Sequence, residues 1–127
     1  MFDTSVAIAF RDGDRGILDR AADLDEPVLL PILAVVELEG GVVAARGDPA
    51  KRRAALDAMY EELDVLPFTG REAGIYRRIV EQLGFSRSRI VDRMIASQAI
   101  VAGATLATLN PRDFRNVPGL TIEDWSS

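Results

Sequence analysis

Pro27-Val28-Leu29-Leu30-Pro31 is a short apolar run closed at both ends by proline, and Ile32-Leu33-Ala34-Val35-Val36-Glu37-Leu38 continues it with a single carboxylate. A brief apolar run between turn signals fits a buried parallel strand. The stretch from Ile32 to Ala45 is too long for a strand and reads as a helix that is apolar nearly all round, closed by Arg46-Gly47-Asp48-Pro49. Asp48 is then the next N-cap, and Pro49 stands at the first helical position, where its missing N–H is harmless. A strand feeding directly into a helix is the repeating unit of an α/β domain.

The same alternation extends in both directions. Upstream, Asp3-Thr4-Ser5 ends a first strand and caps a helix over Val6 to Phe10, since short polar side chains accept from the free N–H groups of a first turn. That strand is either very short or begins upstream of Met1. Asp12 to Gly16 is a loop and Ile17 to Leu24 a short helix. Downstream, Lys51 to Leu63 is an amphipathic helix and Val65 to Phe68 a strand. Thr69 caps a helix from Arg71 to Gln82, with Glu72 at the capping-box position. A loop at Gly84 to Ser88 leads to a helix over Ile90 to Val101 that stops at Gly103. Thr105 to Thr108 is a strand, Asn110 to Asp113 a turn, and Leu120 to Ile122 a last strand. The expected architecture is one α/β domain over residues 1–127, a short-stranded parallel β-sheet flanked by α-helices.

Composition narrows the chemistry. The 127 residues are 48% hydrophobic and 28% charged, enough apolar mass for a core. No apolar run approaches the ~20 residues that span a bilayer, so no membrane role is expected, and the cytoplasm is the default location. There is no cysteine and no histidine. Disulfide scaffolds, thiolate metal sites, imidazole triads and HExxH zinc sites are therefore excluded. A P-loop is absent, as is a dinucleotide GxGxxG. An aspartyl-phosphate phosphatase needs a second aspartate where Ser5 stands, and a receiver domain needs a late lysine, whereas the one lysine is Lys51.

Charge is unevenly spread. Residues 1–64 hold 14 acids and 7 bases, residues 65–127 hold 6 acids and 8 bases, and all eight of those bases are arginines. A net charge of −5 argues against nucleic acid, but a local arginine surface acts over a Debye length regardless of the total.

Four acids stand where acids are costly or well placed. Asp3 follows the first strand, Asp113 follows the turn after the Thr105–Thr108 strand, and ligands of open parallel sheets collect beyond strand C-termini. Glu37 is the lone carboxylate of an apolar run and is predicted to be partly buried, which calls for a metal, an arginine or a proton. Its neighbour Glu39 can point elsewhere. Asp92 shares a helix face with the apolar Ile95 and Ala99. Four carboxylates meeting at one sheet edge would repel unless a cation joined them. An all-oxygen donor set suits Mg²⁺ or Mn²⁺, which activate water and offset charge on a phosphoryl group.

Four stretches in this order resemble the PIN-domain family, and within it the VapC-like toxins of type II toxin–antitoxin pairs. They are Met1-Phe2-Asp3-Thr4-Ser5-Val6, Leu33-Ala34-Val35-Val36-Glu37-Leu38, Ile90-Val91-Asp92-Arg93-Met94-Ile95-Ala96 and Gly103-Ala104-Thr105-Leu106-Ala107-Thr108-Leu109-Asn110-Pro111-Arg112-Asp113-Phe114. The resemblance implies Mg²⁺- or Mn²⁺-dependent RNA cleavage with Asp3, Glu37, Asp92 and Asp113 as catalytic and metal-binding acids. Thr4, Ser5 and Asn110 match the family's polar support around the metal, although many members carry another acid where Asn110 stands. The resemblance also implies a homodimer and a cognate antitoxin that covers the site and binds operator DNA through its own domain. Arg87, Arg89, Arg93 and Arg112 are candidates to hold the RNA backbone. The apolar surface of Ile32 to Val43, more than one sheet face can cover, also points to a symmetric homodimer. The rival reading is a catalytically inactive module of the same fold whose acids dock the arginines of a partner protein.

Overall fold

The computed structural model describes residues 1–44 and 46–126. Six helices and four short strands alternate along the described chain: α1 Thr4–Arg11, α2 Arg15–Ala22, β1 Leu29–Pro31, α3 Ile32–Ala44, α4 Pro49–Glu62, β2 Asp64–Leu66, α5 Gly70–Leu83, α6 Ile90–Ala102, β3 Leu106–Thr108 and β4 Ile122–Asp124. Two 3-10 turns, Arg87–Arg89 and Pro111–Phe114, occupy segments expected as a plain loop and turn. The expected α/β architecture is present, and the last strand lies two residues later than the sequence pattern suggests. Ala45, the expected end of the long apolar helix, lies outside the described residues.

All strand pairing is parallel. β1 pairs with β2 through Leu29–Asp64, Leu30–Val65 and Pro31–Leu66, and β3 pairs with β4 through Leu106–Ile122, Ala107–Glu123 and Thr108–Asp124. The expected first strand is reduced to one bridge, Phe2 with Ala107. That single residue still joins the two pairs into one layer. The Phe2 amide donates to the Leu29 carbonyl at 2.9 Å and the Asp3 amide to the Ala107 carbonyl at 3.0 Å. Asp3 is thereby set at the C-terminal edge of the sheet's centre.

Side chains alternate across a strand, and neighbours on β3 duly enter different cores. Ala107 joins Phe2, Val6, Leu30, Ala34, Leu38, Leu56 and Met59 on the face covered by α1, α3 and α4. Leu106 joins Ile79, Ile95, Ala99 and Phe114 on the face covered by α5 and α6. Trp125, just after β4, closes the first core edge-on against Phe2 at 5.5 Å.

Local signals set the helix ends. Asp3, Asp14 and Asp48 each accept a hydrogen bond from a first-turn N–H. Thr69 and Glu72 form the expected capping box of α5. Gly103 ends α6 at φ 64°, a left-handed conformation that a glycine adopts without steric penalty.

One expectation fails on α3. Its buried stripe is Ala34, Leu38 and Val42, while Val36 and Val43 are 60% and 88% exposed. A helix with apolar residues on all sides is therefore a surface helix here, and Glu37 is exposed rather than partly buried. Glu37 follows Val36 onto the open side, so neither an apolar burial cost nor a buried counter-ion applies to it.

Candidate active site

Asp3 is the most constrained of the four acids. It is 4% exposed, and its Oδ1 accepts from the Val6 amide at 2.9 Å and from Ser5 Oγ at 2.6 Å. Its Oδ2 accepts from Thr108 Oγ1 at 2.5 Å. Burial nevertheless pushes its pKa above the ordinary aspartate value, against the opposing effect of those hydrogen bonds.

Thr108 is, by sequence pattern, an ordinary strand residue. It is fully buried at the end of β3, and its hydroxyl also accepts from the Asn110 amide at 2.9 Å. One hydroxyl thus couples the Asp3 carboxylate to the start of the Asn110–Asp113 segment. Ser5 makes a second such link, its Oγ accepting from the Leu109 amide at 3.0 Å. The only available signal was position, the last residue of a strand on whose edge acids collect.

The remaining acids come from α3, α6 and the 3-10 turn after β3. Glu37 Oε1 accepts from Thr4 Oγ1 at 2.5 Å, so α3 and the residue next to Asp3 meet through their side chains. Asp113 Oδ1 accepts from Arg89 Nη1 at 3.1 Å, and the same nitrogen stands 3.8 Å from Asp92 Oδ2. Asp92 opens α6 above Ile95 and Ala99, both fully buried, as the shared face predicts. Its pKa is pushed up to about 6, first by burial, then by the negative charges of Asp113 and Glu37 and, more weakly, Asp3, with Arg89 opposing. Arg89 thus stands between Asp92 and Asp113, and Thr4, next to Asp3, holds Glu37, so acids from distant stretches of chain are linked in two pairs.

The supporting residues divide. Thr4 orients Glu37 and Ser5 orients Asp3. Asn110 takes part through its backbone amide, while its side chain is exposed and makes no capping hydrogen bond. Of the four arginines, Arg87 and Arg112 are exposed. Arg93 Nη1 donates to the Gly84 carbonyl at 2.6 Å, which ties down the connection between α5 and α6. Arg89 is engaged by the acids themselves. Glu39 does point elsewhere: it pairs with Arg53 and accepts from Tyr60 Oη at 2.8 Å.

The donors are all carboxylate oxygens, the set a hard divalent cation prefers. Mutual repulsion at Asp92 is the strain such an ion would relieve. Among the described residues, no three of these acids are set closely enough to hold one ion as they stand. Glu37 is taken up by Thr4, and Asp113 by Arg89. In donor chemistry, though not in their present spacing, the four carboxylates fit such a cation.

The chain is similar along its whole length to known proteins. Ribonuclease VapC1 of Rickettsia felis is 30% identical over 131 residues, covering 100% of this chain and 96% of that protein. The chain in the crystal structure of DNA-bound VapBC from Salmonella typhimurium is 25% identical, with a TM-score of 0.87 over 98% of this chain and 96% of that one. The structure of VapBC2 from Rickettsia felis bound to a DNA fragment from their promoter shares the fold, with a TM-score of 0.88, 24% identity, and coverage of 98% and 97%. The family model described as PIN domain matches residues 1–120. The chain belongs to the PIN-domain family.

Proposed function

We propose that this protein is a divalent-metal-dependent endoribonuclease, the toxin of a type II toxin–antitoxin pair. The observation that carries the reading is the linkage of acids from separate stretches of chain: Asp92 and Asp113 share Arg89, and Glu37 is held by Thr4, the residue after the buried Asp3. The similarity to a ribonuclease VapC along the whole chain supports the choice of RNA and of the toxin role.

Mg²⁺ or Mn²⁺, when bound, supplies a water of lowered pKa and offsets the charge that builds on the phosphoryl oxygens. Asp3 and Asp92 would be the principal residues to hold it, since Asp3 is buried and the Asp92 side chain, 30% exposed, is more covered than that of Asp113 at 43%. Ser5, Thr108 and the Val6 amide fix the Asp3 carboxylate before any ligand arrives, so little ordering remains for the moment of binding. Thr4 holds Glu37 toward the same region. Asp113 completes the set from the turn after β3. Arg87 and Arg112, exposed near the acids in sequence, hold the RNA backbone by charge.

The antitoxin partner covers this region and carries operator binding in its own domain, an arrangement supported by the VapBC complexes on DNA. Val36 and Val43, seven residues apart on the open face of α3, give an apolar surface for a homodimer or for that partner. Among the described residues no helix is long and apolar enough to cross a membrane, and the proposed site of action is the cytoplasm.

Antitoxin-free protein incubated with single-stranded RNA tests the reading. Cleavage is expected with Mg²⁺ or Mn²⁺ and should fall to background in EDTA. No metal-dependent cleavage across a varied RNA panel would favour the inactive, arginine-docking module.

A further inference from the structure

Arg89 is placed unlike the other arginines of the second half of the chain. It ends the 3-10 turn Arg87–Arg89, immediately before α6. Its Nη1 donates to Asp113 Oδ1 at 3.1 Å and to the Asp113 carbonyl at 3.3 Å, and lies 3.8 Å from Asp92 Oδ2. One guanidinium nitrogen therefore serves two of the four acids, drawn from α6 and from the turn after β3. The hydrogen bond to the Asp113 main chain gives that placement an anchor that does not depend on charge.

A guanidinium and a divalent cation seek the same carboxylate oxygens. We propose that Arg89 is a built-in counter-ion that competes with the divalent cation for the Asp92–Asp113 side of the acidic cluster. This rests on the reading of that cluster as a metal site. In the metal-free protein Arg89 screens the repulsion between the two acids and keeps them together. Metal loading requires the guanidinium to give up the Asp113 carboxylate. The exchange is feasible because the pair is partly solvated: the Arg89, Asp92 and Asp113 side chains are 40%, 30% and 43% exposed, and ion pairs this open are weak. Arg89, a candidate RNA-holding arginine from sequence, is thus first a positioning residue that sets the threshold for metal.

The test is Mn²⁺ binding to the antitoxin-free, full-length protein without RNA, measured by titration with electron paramagnetic resonance detection of free Mn²⁺. Arg89→Gln keeps hydrogen-bonding capacity and loses the charge. Its Kd for Mn²⁺ should fall about five- to tenfold, the order expected for removing a unit charge a few ångströms away in a partly solvated site. Arg89→Met, a second neutral variant, should move in the same direction, whereas Arg89→Lys should stay near wild type. Arg77→Gln loses the same charge on α5, where Arg77 pairs with Glu81, and should leave Kd unchanged. Equal or weaker Mn²⁺ binding in both neutral variants overturns the proposal while the metal-site reading stands. Absence of Mn²⁺ binding in the wild type overturns both.

Discussion

Asp92→Asn should abolish RNA cleavage and, in metal-free buffer at neutral pH, melt above wild type. The loss of activity is expected to reach about a thousandfold or more, equivalent to roughly 4 kcal/mol of transition-state stabilisation. The gain in stability follows from the direction of the Asp92 shift. Its folded-state pKa, pushed up to about 6, lies above the ordinary aspartate value of about 3.9, so between those values the folded state binds more protons than the unfolded state. Stability contributed by this group is present below pH 4 and is lost as pH rises through 6. The neutral amide escapes that loss. After allowance for solvent screening, the variant should be more stable by about 1–2 kcal/mol at pH 7.5, with the advantage vanishing near pH 3.5. Saturating Mn²⁺ should reverse the order, because only wild type gains from binding. Thermal unfolding across pH, with and without Mn²⁺, checks all three parts. A variant less stable than wild type at neutral pH would show that Asp92 is held by favourable contacts rather than against repulsion.

Asp3→Ala should lose activity to a similar extent but change stability in the opposite sense. Asp3 caps α1 and accepts from two hydroxyls, one of them the fully buried Thr108. Removing the carboxylate takes away a cap worth about 1 kcal/mol and leaves the buried Thr108 hydroxyl, still accepting from Asn110, with no acceptor for its proton, at about 1–3 kcal/mol. Relief of the buried charge offsets part of this, and a net loss of about 2–3 kcal/mol is expected in urea unfolding. Asp3→Asn keeps an acceptor for the Val6 amide and removes the charge, so it should recover most of the stability and none of the activity. Recovery of cleavage in Asp3→Asn would remove the Asp3 charge from the mechanism. Two acids of one cluster thus carry different structural duties: Asp3 is built into the fold, and Asp92 is tolerated by it.

Much of this was legible in residue order. The strand-to-helix passage at Pro31 and Ile32, the caps at Asp3, Asp48 and Thr69, and the stop at Gly103 are local rules, and each element begins or ends within a few residues of where those rules put it. The four acids stood out because carboxylates at strand ends or on apolar helix faces need a reason. What sequence could not show was long-range and side-chain specific. Thr108 looked like any β-branched strand residue, yet its partner is Asp3, on a segment it meets only in the folded sheet. Arg89 is, in the sequence, one of four arginines suited to an RNA backbone, and only the turn before α6 brings it against Asp113. Glu37 was misjudged because an apolar run implied burial on every side, whereas α3 leaves Val36 and Val43 open to solvent.

The most direct test is a crystal of the antitoxin-free protein soaked in Mn²⁺ and measured for anomalous scattering. An anomalous peak bounded by the carboxylates of Asp3 and Asp92, with Glu37 and Asp113 facing it directly or through water, is the predicted result. A peak elsewhere on the molecule, or none at millimolar Mn²⁺ with Arg89 still seated on Asp113, would contradict a cation-binding role for these acids.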